Sequence, residues 1–122
     1  MITEIISEAI PEVNEMLNAM KYVEDALYVF GGKWKLKILI TVYAGSKRFK
    51  DFKKHIPEIT NRVLSKELKA LEANKLLQRK VISTSPLSIE YHLTEYTYSL
   101  APVITGIVNW GMNHRKEIME QK

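Results

Sequence analysis

The residues with the most telling chemistry lie close together. Thr60, Asn61, Arg62, Ser65, Lys66 and Lys69 follow one another within a single short stretch. If that stretch is a helix, 61, 62, 65, 66 and 69 share one side, because residues three and four apart are neighbours on a helix. An asparagine amide matches the major-groove edge of adenine, and an arginine fork matches guanine. Ser65 suits a base edge or a phosphate, and Lys66 and Lys69 suit phosphates. Thr60 suits the helix cap, where oriented backbone N–H groups favour a further phosphate. The bland alternative is an amphipathic helix with a solvated charged side.

Other chemistries find little support. His55, His92 and His114 are isolated and share no metal-ligand spacing, so no metal site is expected. Ser65 has no paired histidine in sequence, which argues against a nucleophile. Gly31-Gly32 reads as a helix stop rather than a phosphate loop. There are no cysteines, which removes disulfides, thiolate catalysis, cysteine zinc sites and thiol redox sensing together. Neither an enzyme nor a cofactor is expected. The absence of a basic leader and of a long apolar run predicts a cytoplasmic chain with no membrane partner.

Charge is segregated. The whole chain is +4 at neutral pH. Residues 1–32 hold one base and six acids, net −5, whereas residues 33–80 hold fourteen bases and four acids, net +10. Residues 81–122 are −1. A concentrated positive block within one small domain is the footprint of a polyanion-binding surface, although an ordinary lysine-rich surface looks the same by charge alone.

The elements that must position these groups follow from periodicity. A helix is predicted over 3–19, capped at Thr3 and interrupted at Pro11, with Ile5, Ile6, Ala9, Ile10, Val13, Met16 and Leu17 at helical spacing. A second fits Tyr22 to Phe30 and stops at Gly31-Gly32, where a left-handed closure is easy. A third runs from about Lys33 to Ala44. Lys47-Arg48-Phe49 is too short to assign. A short helix with Phe49, Phe52 and Ile56 inward is broken at Pro57. A fifth, 61–74, buries Val63, Leu64, Leu68 and Leu71, and Asn74 suits its end. The period then falls to two: Leu77 to Ile82 and Ile89 to Leu93 alternate as strands around a polar turn at 83–88. Thr94 begins a last long helix, with a break expected near Pro102, reaching Met119.

Helix, turn, helix and hairpin in that order describe a winged helix-turn-helix. The expected fold class is mainly α with a small β-hairpin (α+β), with added terminal helices. One domain is expected over 1–122, with 33–94 as the winged core.

Several runs also resemble a known family. Gly31-Gly32-Lys33-Trp34-Lys35-Leu36-Lys37-Ile38-Leu39-Ile40 is similar to the GGKW segment of HxlR-type winged-helix transcription regulators, relatives of the MarR group. Lys47-Arg48-Phe49-Lys50-Asp51-Phe52, residues 59–73, Ile89-Glu90-Tyr91-His92-Leu93-Thr94 and Trp110-Gly111 match later segments in the same order. The resemblance covers roughly 22–114. It implies a homodimer that binds operator double-stranded DNA, with the recognition helix 60–74 in the major groove and the wing near the backbone. Carried over by position, Arg48, Asn61, Arg62, Ser65, Lys66 and Lys69 face DNA. Many members carry a cysteine ahead of the first Val-Glu pair, and some sense oxidants with it. Met20-Lys21-Tyr22-Val23-Glu24 holds none, so a signal other than cysteine oxidation is expected. The family's basic wing tip is also replaced, by Ser85-Pro86-Leu87-Ser88, leaving Ser83, Thr84, Ser85 and Ser88 as neutral donors.

Residues 1–20 and 95–119 are expected to form the dimer seam through Ile6, Ile10, Val13, Met16, Leu17, Val103, Ile107 and Trp110. Terminal-helix residues such as Met16, Leu17, Met20, Tyr98, Trp110, Met112 and Met119 also suit an apolar pocket for an unidentified small-molecule effector. A different class of function, a winged module whose basic side serves an acidic protein partner, fits the recognition face less well: such a face more often shows apolar anchors than Asn61, Arg62 and Ser65.

Overall fold

The structure is a computed structural model that describes residues 12–120. The expected cap at Thr3, the interruption at Pro11 and the seam positions Ile6 and Ile10 lie outside the described residues. Two compact units divide after Gly32.

The first unit holds α1 (Val13–Asn18) and α2 (Met20–Phe30). They meet at Ala19, whose N–H reaches the carbonyls of Glu15 and Met16 while Tyr22 and Val23 donate back to the Ala19 carbonyl. The spiral is thus interrupted for one residue, and α2 begins two residues before Tyr22. Its end is enforced by close approach. A Cβ on Gly31 would lie 2.3 Å from the Leu27 carbonyl oxygen. Gly31 is itself extended, with ψ near −179°, and the left-handed residue is Gly32, with φ of 89°.

The second unit runs α3 (Lys35–Tyr43), α4 (Phe49–His55), α5 (Asn61–Ala73), β1 (Leu77–Thr84), β2 (Leu87–Leu93), a 3-10 helix (Glu95–Leu100) and α6 (Ala101–Glu120). Its core gathers Ile38 and Leu39 from α3, Phe52 from α4, Ile56 and Ile59 from the turn, and Leu64, Leu68 and Leu71 from α5. Leu76 and Leu77 complete it at the entry to β1, and none of these exceeds 3% exposure. Each such side chain contributes up to about 1.5–3 kcal/mol relative to leaving it in water. Phe52 also meets Tyr91 of β2 edge to face, with centroids 6.3 Å apart.

Helix ends follow local chemistry. α3 closes with the Ser46 N–H on the Thr41 carbonyl at 2.9 Å, around a left-handed Gly45. The break expected near Pro102 is a change of helix type: the 3-10 helix hands over to α6 at Ala101. Pro102 then sits in the first turn of α6, where a missing N–H costs nothing. Among the residues of α6, none is buried.

β1 and β2 form an antiparallel pair with Gln78 opposite His92, Arg79 opposite Tyr91 and Lys80 opposite Glu90, and with a bulge between Val81 and Ser83. The hairpin is tighter than the six-residue turn expected. Ser83 pairs with Ser88 and Thr84 with Leu87, leaving Ser85-Pro86 between the strands. Ladder bonds use only the main chain, so a polar run continues a strand whose side chains carry no visible alternation.

Candidate nucleic-acid interface

α5 is two-sided. Thr60 caps it, its hydroxyl oxygen accepting the Val63 N–H at 3.2 Å. Leu64, Leu68 and Leu71 are at 0% exposure on the inner side. Asn61, Arg62, Ser65, Lys66 and Lys69 are all exposed on the other. Among the described residues, no side-chain hydrogen bond or ion pair occupies any of these five. Their donors are therefore turned to solvent and available to a ligand.

The one acid in the middle of this helix is withdrawn from that side. Glu67 Oε2 lies 2.6 Å from Lys35 Nζ of α3, with both side chains largely shielded. The contact is an ion pair by distance, though the oxygen receives no well-directed hydrogen bond. The exposed side thus keeps its cationic character through its first two turns.

The turn between α4 and α5 is held by a residue that periodicity does not reveal. Lys53 of α4 donates its ammonium to the Ile59 carbonyl, and Ile59 N–H reaches back to Ile56 at 3.2 Å. α4 starts on Arg48, whose N–H donates to the Asp51 carboxylate at 3.2 Å. That bond is the largest influence and holds the Asp51 carboxyl below the ordinary aspartate range; burial opposes it, and the Lys47 N–H and the charges of Lys54 and Lys50 add to the lowering.

The segment left unassigned before α4 runs along the free edge of β2. The Tyr91 N–H donates to the Lys47 carbonyl at 2.8 Å. This brings Arg48, whose side chain is 48% exposed, against the hairpin, with Nη2 3.9 Å from Glu90 Oε2. The other Glu90 oxygen lies 2.9 Å from His92 Nε2.

The exit of α5 is a second fixed point. Asn74, expected to end the helix, keeps φ of −90° and bonds the Ala70 carbonyl with its side chain. The left-handed residue is Lys75, with φ of 65°, and the Leu76 N–H closes on the Leu71 carbonyl at 2.9 Å. Thr94 donates its hydroxyl to the Lys75 carbonyl at 2.6 Å and its N–H to the Leu76 carbonyl at 3.3 Å. The buried Thr97 hydroxyl also donates to the Leu76 carbonyl and lies 2.8 Å from the Thr94 hydroxyl. The return strand of the hairpin is thus tied to the end of α5.

Of the four wing residues, Thr84 and Ser85 are exposed and Ser83 is half-buried. The Ser88 hydroxyl is buried and has no hydrogen-bond partner among the described residues, so this chain does not present it at the surface. Cations do occur on the hairpin, at the exposed Arg79 and Lys80 of β1. They stand on the stem of the hairpin rather than at its tip. Lys50 and Lys54 of α4 are exposed as well.

In α6, Val103, Ile107 and Trp110 are 40%, 49% and 68% exposed. In α1, Val13 and Leu17 are exposed and Met16 is half-buried. An open cleft of about 320 Å³ in the second unit is lined by Leu39, Ile40 and Tyr43 of α3, Leu93 of β2, and Tyr98, Ile104 and neighbours before and within α6. Of the terminal residues considered for an apolar pocket, only Tyr98 lines it. His114 stacks on Trp110 at 4.9 Å. Among the described residues, no helix is long and apolar enough to cross a membrane.

Comparison with known proteins agrees with this geometry. The family model for the HxlR-like helix-turn-helix matches residues 29–119. The chain is 40% identical over 96 residues to the uncharacterized HTH-type transcriptional regulator YdeP of Bacillus subtilis (strain 168), covering 79% of this chain and 75% of that protein. It is similar to the structure of the redox regulator HypR in its reduced form, with 37% identity and a TM-score of 0.74 over 82% of this chain and 98% of the other. A regulator described as of the MarR family from Enterococcus faecalis V583 matches at 28% identity and a TM-score of 0.71, over 83% and 92% of the two chains.

Proposed function

The chain belongs to the HxlR-like helix-turn-helix family of transcription regulators, and from that we propose that it binds operator DNA as a homodimer in the cytoplasm, with α5 in the major groove and the hairpin against the adjoining backbone. The observation that carries this reading is the two-sidedness of α5. Leucines at 0% exposure lock it to the core, and Asn61, Arg62, Ser65, Lys66 and Lys69 stand free on the opposite side. In this reading Asn61 and Arg62 read base edges. Thr60, Ser65, Lys66, Lys69 and Arg48 hold phosphates, and Thr84 and Ser85 approach the backbone from the hairpin.

Genome-fragment selection with the purified protein, followed by footprinting, tests it. Two protected half-sites about one helical turn, or a multiple of it, apart are expected; uniform protection at moderate salt refutes sequence-selective binding. Residues 33–94 act as the winged core, and the terminal helices join two copies. The support is the apolar side chains that α6 leaves exposed, Ile107 and Trp110 among them, and separately Val13 and Leu17 of α1. Light scattering after size exclusion should give twice 14.1 kDa; the monomer mass at micromolar concentration refutes paired recognition.

The inducing signal is not cysteine oxidation. HypR is described as a redox regulator with oxidised and reduced forms, and this chain contains no thiol with which to run such an exchange. A thiol oxidant should leave DNA affinity unchanged.

A further inference from the structure

Glu90 lies on β2 directly opposite Lys80 of β1, and opposite charges facing each other across a strand pair ordinarily attract. Yet no ion pair joins these two among the described residues. The carboxylate instead divides its oxygens between two groups. Oε1 lies 2.9 Å from His92 Nε2, and Oε2 lies 3.9 Å from Arg48 Nη2. An ionised carboxylate only accepts, so the histidine Nε2 carries the proton and donates. Glu90 and His92 are about one-quarter exposed or less, whereas Arg48 is half in solvent. The order of exposure matches a relay. His92 fixes the carboxylate, the carboxylate draws on one nitrogen of the guanidinium, and the remaining N–H groups stay open.

We propose that Glu90 is a positioning residue that holds the Arg48 guanidinium where it meets a DNA phosphate, rather than an acid that opposes DNA. The proposal rests on the reading of Arg48 as a phosphate contact given above. Arg48 immediately precedes α4, the first helix of the helix-turn-helix, which crosses the DNA backbone in this architecture. A long side chain already restrained there gives up less freedom on binding. The main chain adds to the restraint, because Lys47 is bonded to Tyr91 of the same strand.

A phosphate contact is readable on any duplex, so the probe is a fluorescein-labelled random-sequence DNA duplex, titrated by anisotropy across a salt series. Arg48→Ala should weaken binding about tenfold and reduce the salt slope by ~1. Glu90→Ala, although it removes a negative charge near DNA, should weaken binding by several-fold. Glu90→Gln, which keeps the shape but not the charge that reaches Arg48 across 3.9 Å, should weaken binding about as much as Glu90→Ala. In the Arg48→Ala background both Glu90 substitutions should be silent. Tighter or unchanged binding by Glu90→Ala overturns the proposal, as does a loss that persists without Arg48. Circular dichroism melts of each variant separate these outcomes from unfolding. A silent Arg48→Ala also overturns it, while a loss on Lys69→Ala in the same assay keeps the recognition-helix reading standing.

Discussion

Thr97→Val tests the joint between the recognition helix and the hairpin. The substitution preserves shape and deletes one hydroxyl, at a residue only 5% exposed. That hydroxyl donates to the Leu76 carbonyl and contacts the Thr94 hydroxyl. A neutral hydrogen bond contributes about 1 kcal/mol net, and a buried group left without a partner costs about 1–3 kcal/mol. The Leu76 carbonyl is not fully abandoned, because the Thr94 N–H still reaches it at 3.3 Å. The Thr94 hydroxyl keeps its bond to Lys75. The expected loss is therefore about 1–2 kcal/mol, toward the lower end of what a fully orphaned carbonyl would impose. Urea unfolding at fixed protein concentration reads it as a midpoint lower by about 1 M with an unchanged slope. A change within about 0.3 kcal/mol, the scatter of an ordinary surface substitution, would show that the hydroxyl does not hold the joint. A changed slope with no change in midpoint would also refute the reasoning, since it places the effect in the compactness of the unfolded chain rather than in this bond.

Three further outcomes are expected. Arg62→Ala should relax base preference at one position per half-site by ~1–3 kcal/mol, whereas Lys69→Ala should weaken all sequences alike and lower the salt slope by ~1, both read by binding isotherms across salt. Lys75→Gly should stabilise the fold by about 0.5–1 kcal/mol in urea, because a left-handed residue with a side chain is strained and glycine is not. Asp51→Asn should flatten the acid limb of the stability curve. The carboxyl sits below its unfolded value, so its contribution is complete above the ordinary aspartate range and fades as pH falls through the lowered one; an unchanged acid limb refutes the capping role.

Local chemistry made α5 readable in advance. Thr60, Leu64, Leu68 and Leu71 carry both the cap and the 3.6-residue repeat in their own spacing, and the structure places them accordingly. The hairpin was readable where side chains alternate, at Leu77 to Ile82, and misjudged at Ser83, Thr84 and Ser88, where only main-chain bonds continue it. Asn74 ends α5 as its propensity suggests, but the left-handed residue that follows, Lys75, is set by distant partners: the Leu76 N–H reaches Leu71 and the next carbonyls meet Thr94 and Thr97. The groups that shape the site most subtly were invisible. Lys35 meets Glu67 and Arg48 meets Glu90 across long stretches of chain, and the Lys53 bond to Ile59 depends on how the turn at Pro57 folds back. No short window of sequence contains the first two pairs.

The threonine joint has a mechanical consequence. Thr97 lies in the 3-10 helix that runs directly into α6, and α6 is 20 residues long, about 30 Å at 1.5 Å per residue. A rod of that length hinged at one end magnifies rotation: a tilt of about 5° at the joint sweeps the far end through about 2.6 Å. Read in reverse, a shift of about 2.6 Å at the far end of α6 corresponds to only about 5° at the joint. The two threonines tie the start of that rod to the exit of α5, so the length of α6 is anchored at one end by a pair of hydroxyls.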